Sequence, residues 1–442
     1  MRPLKIAVIG SGISGLSAAW LLSKTHNVTL YETDDRLGGH ANTTHVDMPD
    51  GTVAVDTGFI VYNELTYPNL TALFAHLDVP TQASSMGFSF SSDAGAYEYS
   101  GTGANGFFGQ RRNLLKKRHW RMLSDIKRFF ETATTRVTAY DPQISLGAFL
   151  ATEGYSTTFI DEHIVPMGAA IWSTPAQRML DFPARAFVDF YDNHRLLQFN
   201  DQPVWRTVRG GSREYVQRIC DDGDFEIVQG VGARAIRRTD TAALVEDARG
   251  AVRPFDQVVI ATQADQALGL LDAPADEEAR LLGAFAYQEN LAILHSDRRL
   301  MPKRRRIWSA WNFLKSGAQG RSELCLTYWM NELQSLDTRW PVLVTLNPYD
   351  EVHPKAEHGR FAYRHAVFDN AALTAQKDLW SLQGQKRTWF CGSYFGYGFH
   401  EDGLQAGLAV AEAIGGVRRP WYVDNESGRI HSIRPRDVRA AE

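Results

Sequence analysis

The chain has 442 residues, of which 44% are hydrophobic and 22% are charged, and its formal net charge is −4 at pH 7. This length suits about two domains with sizeable cores, and no stretch approaches the ~18 apolar residues of a membrane-spanning helix. Three cysteines without paired spacing argue against a disulfide framework and favour a reducing compartment. The first strand is predicted from residue 4, which leaves no room for a secretory signal, so we expect a cytoplasmic protein.

A glycine loop stands near the start of the chain. Residues 10–15, GSGISG, fit the pattern G-x-G-x-x-G, in which glycines let the backbone approach a pyrophosphate. The apolar run Leu4–Ile9 predicts a buried parallel strand before this loop. The following LSAAWLLSK predicts a helix, whose N-terminus attracts phosphate. Its expected buried face carries Leu16, Ala19, Trp20 and Leu22.

A second predicted strand, Val28–Tyr31, supports the same interpretation. It ends at Glu32, twenty residues beyond Gly12, where an acidic side chain can accept hydrogen bonds from the ribose of an adenosine. The sequence therefore predicts a dinucleotide site at the N-terminus.

A second match to the glycine pattern lies at residues 101–106, GTGANG. It follows the alternating polar segment AYEYS and runs into FFGQRRN, which is too polar and basic to begin a packed helix of a nucleotide fold. Gly-Thr-Gly and Asn-Gly are also ordinary turn sequences. We therefore predict a hairpin turn here and only one dinucleotide site in the chain.

Positive charge is concentrated in two segments. Residues 110–130 carry eight Lys and Arg against one Asp, and residues 298–306 carry six with no acid. The first segment predicts a basic amphipathic helix with an apolar face formed by Leu115, Met122, Ile126 and Phe129.

Tryptophans accompany both basic segments, a combination that suits an anionic membrane surface and would place the protein peripherally on the inner membrane. Two solvated helix faces on an ordinary core would give the same pattern. Nucleic acid is disfavoured because no recognised reader motif accompanies the charges.

Strand-like runs return late in the chain, near 226–238, at 255–262 and at 387–396. The last run leads to a helix that we expect to begin near Gly403 and to end at Gly415–Gly416. These pieces complete the nucleotide domain, and the blocks between them form a second domain. We assign 1–65, 205–285 and 385–420 to the first domain, 66–204 and 286–384 to the second, and 421–442 to a C-terminal tail.

Residues 31–43, YETDDRLGGHANT, carry a more specific pattern. Glu32-x-x-x-Arg36-x-Gly38-Gly39, at this distance from the glycine loop, resembles the flavin amine oxidase superfamily, which includes monoamine oxidases, protoporphyrinogen oxidases and phytoene desaturases. The resemblance implies an α/β fold in which an FAD-binding, Rossmann-like domain of the glutathione-reductase type is interleaved with a mixed α+β substrate domain. It continues through VDTGF (55–59), RGG (209–211), VVIAT (258–262) and FCGSYFGYGFHEDG (390–403).

The resemblance also implies which residues hold the flavin. Arg36 would meet the pyrophosphate, Gly38–Gly39 would let the chain pass close to the ribityl group, and the start of the last helix would present N–H groups to the ring. The implied contacts come from Gly10, Ser11, Gly12, Ile13, Ser14, Gly15, Glu32, Arg36, Gly38, Gly39, His40, Gly58, Phe59, Ala233, Ala261, Gly392, Ser393, Asp402, Gly403 and Leu404.

Two positions depart from the superfamily pattern. Ser393 follows Gly392 where many relatives have a Glu, which removes one expected polar contact. Cys391 lies before that glycine, inside the strand, whereas relatives with covalent flavin use a cysteine in a different local context. We therefore expect non-covalent FAD, with Cys391 as a core residue.

Shorter segments resemble one bacterial branch of the superfamily. Members of that branch tend to be associated with cyclopropane-fatty-acid-synthase-like methyltransferases, and the branch includes the acyl dehydrogenase of furan fatty acid synthesis. The resemblance implies dehydrogenation of a methyl-branched, unsaturated acyl chain of membrane phospholipid and a functional link to a lipid methyltransferase. The segments are AIWSTP (170–175), LTYWMNELQSL (326–336) and GYGFHEDG (396–403).

A flavin accepts a hydride from a C–H bond that is held against its ring with water excluded. If a double bond forms, a proton must also leave, so a base is required. His400 and Glu401 are the first candidates because they are expected just before the last helix, and Tyr394 and Tyr397 would shape the site. His295 is a further candidate base.

Other interpretations stay open. An oxidase of amines or of another apolar small molecule is disfavoured because ENLAILHSD (289–297) lacks the lysine that amine oxidases often place near the flavin. A non-catalytic, FAD- and lipid-binding partner of a methyltransferase is a third possibility. No second nucleotide fold would take NAD(P)H, so oxygen, a quinone or another carrier should reoxidise the flavin. His40 and His45 lack the further ligands that a metal site needs, and we expect none.

Overall fold

A computed structural model describes residues 2–172, 176–198, 203–316 and 323–432 of the protein. The strands are β1 Lys5–Ile9, β2 Asn27–Glu32, β3 Thr43–Met48, β4 Gly51–Asp56, β5 Tyr62–Asn63, β6 Thr81–Ser84, β7 Phe88–Ser92, β8 Tyr97–Ser100, β9 Trp205–Val208, β10 Phe225–Gln229, β11 Ala233–Arg238, β12 Ala243–Asp247, β13 Val252–Phe255, β14 Gln257–Ile260, β15 Ala286–His295, β16 Trp311–Ser316, β17 Glu323–Trp329, β18 Leu343–Leu346, β19 Glu357–Val367 and β20 Thr388–Phe390. The helices are α1 Ile13–Leu22, α2 Pro68–His76, α3 Gly103–Phe107, α4 Lys117–Val137, α5 Leu146–Thr152, α6 Thr157–Phe159, α7 Val165–Trp172, α8 Ala176–Met179, α9 Ala184–Asn193, α10 Arg213–Asp222, α11 Ala264–Leu270, α12 Asp276–Leu282, α13 Met330–Leu333, α14 Asn370–Gln376 and α15 His400–Ile414.

One sheet has the order β10–β2–β1–β14–β20, and every strand pair in it is parallel. Its strands are short; α1 packs against β1, β2 and β14, and β13 of a three-stranded sheet contacts β1. The strands come from distant parts of the chain, so the sheet is completed only when β20 joins β14. The α/β fold expected from the sequence is confirmed by this topology and by the structural relatives reported below.

Helix α1 lies against this sheet and is buried along its whole length, not on one face as the sequence pattern suggested. The reason is α15, which crosses it closely on the other side. A Cβ atom at Gly403 would lie 2.7 Å from Ser14 Oγ, and one at Gly407 would lie 2.2 Å from the Ser14 carbonyl oxygen. Gly403 and Gly407, four residues apart, therefore allow the N-terminal parts of α1 and α15 to lie in direct contact.

A second sheet has the order β19–β15–β18–β17–β16–β7–β8 and is antiparallel except for the pair β16–β7. Small antiparallel sheets join β3 to β4, β9 to β5 and β6, and β12 to β11 and β13. Within the described ranges, no helix is long and apolar enough to cross a membrane. The strand order does not test the domain boundaries assigned from the sequence, and they stay a prediction.

The segment at 101–106 is not a hairpin turn, which corrects the sequence-based prediction. The hairpin is formed by β7 and β8, and its turn is residues 93–96. Gly101 to Thr102 leave β8, and the remainder of the motif opens the five-residue helix α3. Because β8 is an antiparallel edge strand, the motif lacks the parallel strand that a dinucleotide loop follows.

Two helix starts also differ from the prediction. The basic helix α4 begins at Lys117, after a 3-10 turn at Arg111–Leu115, so Leu115 is 89% exposed and does not share the buried face of Met122, Ile126 and Phe129. The last helix begins at His400, three residues before the expected Gly403.

The described part of the predicted tail is packed against the protein. Trp421 stacks on Trp20 with ring centroids 5.9 Å apart, and Ile430 is 6% exposed. Arg429 donates to the Thr66 carbonyl oxygen at 2.5 Å. Residues 433–442 of the assigned tail, and residues 173–175 of the AIWSTP segment, lie outside the described residues.

Candidate active site

The first glycine loop leaves the carboxyl end of β1, where a parallel sheet presents its ligand-binding edge. The Gly10 N–H donates to the Tyr31 carbonyl at 2.8 Å, and the Ala261 N–H donates to the Ile9 carbonyl at 2.8 Å, so the ends of β1, β2 and β14 are tied together. A Cβ at Gly15 would lie 1.8 Å from the Gly10 carbonyl oxygen. Only glycine allows α1 to start this close to the strand.

The Glu32 carboxylate organises the next layer. Its Oε2 accepts from the Ser11 backbone N–H at 2.9 Å and from Ser11 Oγ at 2.5 Å, and its Oε1 accepts from the Asp34 N–H at 2.9 Å. The Gly38 N–H donates to the Ser11 carbonyl at 3.1 Å. The GSGISG loop and the loop that follows β2 therefore contact each other directly.

A third loop stacks on these two. The Phe59 N–H donates to the His40 carbonyl at 2.8 Å, and the Thr57 N–H donates to the Asn42 carbonyl at 2.9 Å. A Cβ at Gly58 would lie 2.2 Å from the His40 carbonyl oxygen, so glycine is required for this approach. Three motifs that the resemblance connects, at 10–15, 38–40 and 57–59, thus lie together.

Two features of this edge fit a bound flavin dinucleotide. A Cβ at Gly12 would meet no atom within 4 Å, which leaves open space at the N-terminus of α1 where a phosphate would be held. The buried Nε2 of His40 has no hydrogen-bond partner among the described residues. A group bound beside the loop would satisfy this atom, whereas the similarly unsatisfied Nε2 atoms of His119 and His163 do not belong to the cofactor loops.

Aromatic rings and histidines continue from this loop into a cleft. The His40 ring lies 5.1 Å from Tyr363 and 5.3 Å from His365, measured between centroids. His400 stacks on Phe59 at 3.7 Å. We call His40, His365 and His400, with the rings that contact them, the cleft cluster.

All three histidines of the cleft cluster are neutral at physiological pH. Desolvation lowers the pKa of His40 to about 4 and that of His365 and His400 to about 3 each. Each keeps part of its surface accessible although protein surrounds most of it. The Arg36 guanidinium lowers the pKa of His40 further, and His40 lowers the pKa values of His365 and His400 further.

A chain of amides fixes the tautomer of His365. The Leu291 backbone N–H donates to Asn347 Oδ1 at 2.9 Å, so the Nδ2 of Asn347 is the donor toward Asn290 Oδ1 at 2.7 Å. The Nδ2 of Asn290 must then donate to His365 Nδ1, at 2.9 Å. Because Nδ1 accepts, the proton of neutral His365 resides on Nε2, which is left as a hydrogen-bond donor.

Of the candidate catalytic residues, the structure places only His400 in the cleft cluster, where its Nε2 lies 3.1 Å from the Tyr215 hydroxyl. The carboxylate of Glu401 is fully buried and accepts from the Asn69 and Leu70 backbone N–H groups at 3.1 and 2.9 Å. It therefore ties α15 to α2. Its catalytic role stays a prediction that this geometry does not favour.

The other three candidates lie elsewhere. Tyr394 is buried against Phe285, and the Tyr397 hydroxyl accepts from Asn193 Nδ2 at 3.1 Å. His295 is enclosed in the second sheet, where its Nε2 bonds Thr345 Oγ1 at 2.7 Å and its Nδ1 accepts from the Asp297 N–H at 3.0 Å. Both ring nitrogens of His295 are therefore occupied.

The remaining predicted cofactor residues surround the same sheet edge. A Cβ at Gly403 would lie 3.0 Å from Ile13 Cγ2 and 3.6 Å from the Ser393 backbone nitrogen. Asp402 accepts from the Phe399 N–H at 2.8 Å and caps α15.

Ala233, Arg36, Gly392 and Leu404 complete the predicted set. Ala233 begins β11, and two residues before it the Val231 N–H donates to the Glu32 carbonyl at 3.1 Å. Arg36 donates to the Ala41 carbonyl at 3.3 Å. Gly392 lies two residues after the end of β20, and Leu404 is fully buried in α15.

Sequence reasoning missed His365, Tyr363 and Tyr215. The alternation in AYRHAV places Tyr363 and His365 on one face of a strand, which was an available signal. Nothing local could pair that face with the loop at His40, more than 300 residues earlier in the chain. Among the described residues, no group of three or more His, Cys, Asp and Glu side chains is arranged to hold a metal ion.

Solved structures with this fold cover almost the whole chain. A wild-type putrescine oxidase bound to putrescine aligns with a TM-score of 0.66 and 16% identity over 93% of this chain and 99% of that one. Cyclohexylamine oxidase from Brevibacterium oxydans IH-35A gives 0.64 and 16% over 93% and 99%. A CLA-producing fatty acid isomerase from P. acnes gives 0.63 and 12% over 94% and 98%. These likenesses establish the fold.

Curated relatives match over a short segment. The L-amino acid oxidase of Cerastes cerastes is 46% identical over 47 residues, 10% of this chain and 9% of that protein. That of Notechis scutatus scutatus is 50% identical over 43 residues, 10% of this chain and 8% of that protein. The chain thus matches about a tenth of these relatives' length.

Residues 13–415 match the family described as flavin containing amine oxidoreductase. This span contains the loops at 38–40 and 57–59 and the helix α15, which meet at the carboxyl edge of the parallel sheet. The open space beside Gly12 and the unsatisfied Nε2 of His40 suit the cofactor of that family. The chain belongs to the flavin-containing amine oxidoreductase family, and its cofactor is FAD.

Proposed function

We propose that the protein is an FAD-dependent dehydrogenase of an apolar chain-like substrate, specifically a methyl-branched unsaturated acyl chain of membrane phospholipid. The observation that carries this proposal is the character of the cleft cluster. Its histidines are neutral, and the carboxylate that acts on its tyrosines, Asp56, is buried and already accepts hydrogen bonds from Thr43 and Ser212. A cationic amine would find no free counter-charge among these groups, whereas a hydrocarbon chain needs none.

When bound, FAD supplies a two-electron acceptor for hydride. The loops at 10–15 and 38–40 would hold its phosphates and ribityl group, and Phe59 with His400 would wall the cleft against water. His365, positioned by Asn290, would present its Nε2–H as a hydrogen-bond donor to the bound cofactor, where negative charge would develop, because the C–H bonds of an acyl chain accept no hydrogen bond. The substrate would lose a hydride to the flavin and a proton to a base, for which the neutral ring of His400 in the cleft cluster is the candidate, and would gain a double bond. Oxygen, a quinone or another carrier must afterwards remove the two electrons.

The fold is shared with a fatty acid isomerase and equally with amine oxidases, so fold alone does not choose between the substrates.

The finer choice of substrate rests on sequence segments. LTYWMNELQSL and GYGFHEDG resemble the bacterial branch associated with lipid methyltransferases and furan fatty acid synthesis. In such a chain an allylic C–H bond is the easiest hydride donor. A functional link to a lipid methyltransferase belongs to the same proposal.

The test is anaerobic mixing of the purified, FAD-loaded protein with bilayers of methyl-branched unsaturated phospholipid. We expect loss of the visible flavin absorbance and an extracted acyl chain lighter by two hydrogens. Straight-chain saturated phospholipid is the matched control and should leave the spectrum oxidised. Bleaching only by a hydrophobic amine would replace the proposal with an amine oxidase, and an unchanged spectrum with every substrate would favour a non-catalytic partner.

A further inference from the structure

The two basic segments, distant in sequence, meet around one hairpin. Lys116 Nζ lies 3.4 Å from the Ala96 carbonyl, and Arg304 Nη1 donates to the neighbouring Gly95 carbonyl at 2.8 Å. A Cβ at Gly109 would lie 2.3 Å from the side chain of Ile307, so the residues that directly flank the two segments are close together. Burial lowers the pKa of Lys116, and nearby cations including Arg304 lower it further. The clusters therefore form one basic surface.

Exposed apolar side chains stand within this surface. Leu114 and Leu115 belong to the 3-10 turn before α4 and are 47% and 89% exposed. Trp120 is 51% exposed, and its indole N–H donates to the Leu114 carbonyl at 3.0 Å, which supports the turn from beneath. Two adjacent exposed leucines on an ordered turn leave apolar surface in water, and such surface is typical of a site that contacts an apolar partner.

The cations beside these leucines are not neutralised by the protein. Within the described residues, no carboxylate lies within 4.0 Å of the charged groups of Arg111, Arg112 or Lys117. Arg304 is different, because it pairs with the fully buried Glu98 at 2.7 Å and so serves the fold. The exposed cations at 303, 305 and 306 continue the surface on the other side of the hairpin.

We propose that the turn Arg111–Leu115, with Lys117 and Trp120, docks on anionic phospholipid membrane by inserting Leu114 and Leu115 between headgroups. Charge complementarity selects anionic lipid, and the leucines distinguish a bilayer from a nucleic acid, whose phosphates would gain nothing from them. Docking there would bring the protein to a surface that carries acyl chains. The proposal concerns binding and does not depend on turnover.

The experiment measures binding of the oxidised, FAD-loaded full chain to vesicles of phosphatidylglycerol and phosphatidylcholine in equal parts, and to vesicles of phosphatidylcholine alone. We expect binding to the mixed vesicles that weakens with salt, and little to the neutral ones. Arg111→Ser with Arg112→Ser and Lys117→Ser should weaken binding about 100-fold, since each cation near such a surface contributes a factor of about 5. Leu114→Ser with Leu115→Ser should weaken it at least about 10-fold.

The matched control removes three exposed cations far from this surface, Arg2→Ser, Arg249→Ser and Lys377→Ser. It should bind as the parent does, and an equal loss would show that only net charge matters and would overturn the proposed site. Binding that survives loss of both leucines, or preference for a DNA duplex over vesicles, would also overturn it. Vesicle binding, together with flavin that stays oxidised on bilayers of methyl-branched unsaturated phospholipid, would leave this proposal standing and would overturn the proposed activity instead.

Discussion

The molecule holds two clusters of neutral histidines among aromatic rings, and they differ in what covers them. In the core of the second sheet, His119 is fully buried with its Nδ1 2.7 Å from the Tyr97 hydroxyl, and His163 is 4% exposed with its Nδ1 3.1 Å from the Tyr99 hydroxyl. In the cleft cluster, each histidine keeps accessible surface. Burial lowers the pKa in both places, to about 4 for His119 and about 3 for His163.

The comparison shows that a lowered pKa does not by itself mark a working histidine. The core pair has its Nδ1 atoms occupied by tyrosines and no surface through which a substrate could reach it. The cleft cluster combines the same neutrality with access and with an Nε2–H that is fixed on His365. Accessible surface beside a cofactor loop, rather than the pKa, therefore separates the candidate catalytic cluster from the packed one.

The largest expected effect is on turnover, from His365→Ala. Loss of one preorganised hydrogen-bond donor beside a reacting group lowers kcat by about 100-fold or more. Because His365 is partly exposed, we expect the free energy of unfolding to change by only about 1 kcal/mol. Anaerobic flavin reduction by the acyl substrate, measured together with the FAD content per chain, checks this. A variant that retains both FAD and the parental rate would remove His365 from the site.

The counterpart is His163→Ala in the core. Removal of a buried ring packed against Phe88, Tyr99 and Phe159 should lower the free energy of unfolding by about 2–4 kcal/mol. The rate of flavin reduction per bound FAD should be unchanged. Denaturant unfolding and the same kinetic assay are applied to both variants. We expect His365→Ala to lose rate with little loss of stability, and His163→Ala to lose stability without loss of rate. Equal losses of rate in both variants would contradict the prediction that only the cleft cluster acts on the reaction.

A pH titration of stability sharpens the comparison further. The core histidines have folded pKa values below the unfolded value of about 6.5, so the unfolded chain binds more protons as pH falls. Above pH ~6.5 these histidines do not lower the free energy of unfolding, because they are neutral in both states. Near pH 5, protonation of the unfolded chain lowers the free energy of unfolding by about 2 kcal/mol for each of them. Replacing both, His119→Phe with His163→Phe, should flatten the dependence between those pH values. Parallel curves for the variant and the parent would show that these histidines are not neutral in the core.

The sequence could predict those features whose residues lie close together along the chain. The loop at 10–15, the strand that ends at Glu32 and the flavin family were predictable because glycine spacing, strand and helix follow one another directly. The start of α15 was misplaced although Glu401 and Asp402, acidic residues suited to a first turn, marked it. At 101–106 the glycines were taken as a hairpin turn, whereas they leave a strand and open a short helix.

The cleft cluster could not be predicted because distant strands create it. His365 reaches Asn290 only through the pairing of β15 with β19, and Asn347 joins them from the loop after β18. His40 meets them across the interface between the two sheets. Each residue is unremarkable within its own segment, and their combination exists only in the fold.

The smallest expected effect tests the tautomer of His365, through Asn290→Asp. A carboxylate at this position accepts from Nδ1, so neutral His365 would carry its proton there and lose its Nε2–H. Loss of that one hydrogen bond should slow flavin reduction about 10-fold at neutral pH. The carboxylate also raises the His365 pKa from about 3. As pH falls through the raised value, the doubly protonated ring regains its Nε2–H, so the rate of the variant should recover while the parental rate does not rise. The double variant Asn290→Asp, His365→Ala should show no such recovery, and a recovery there would assign the titration to another group.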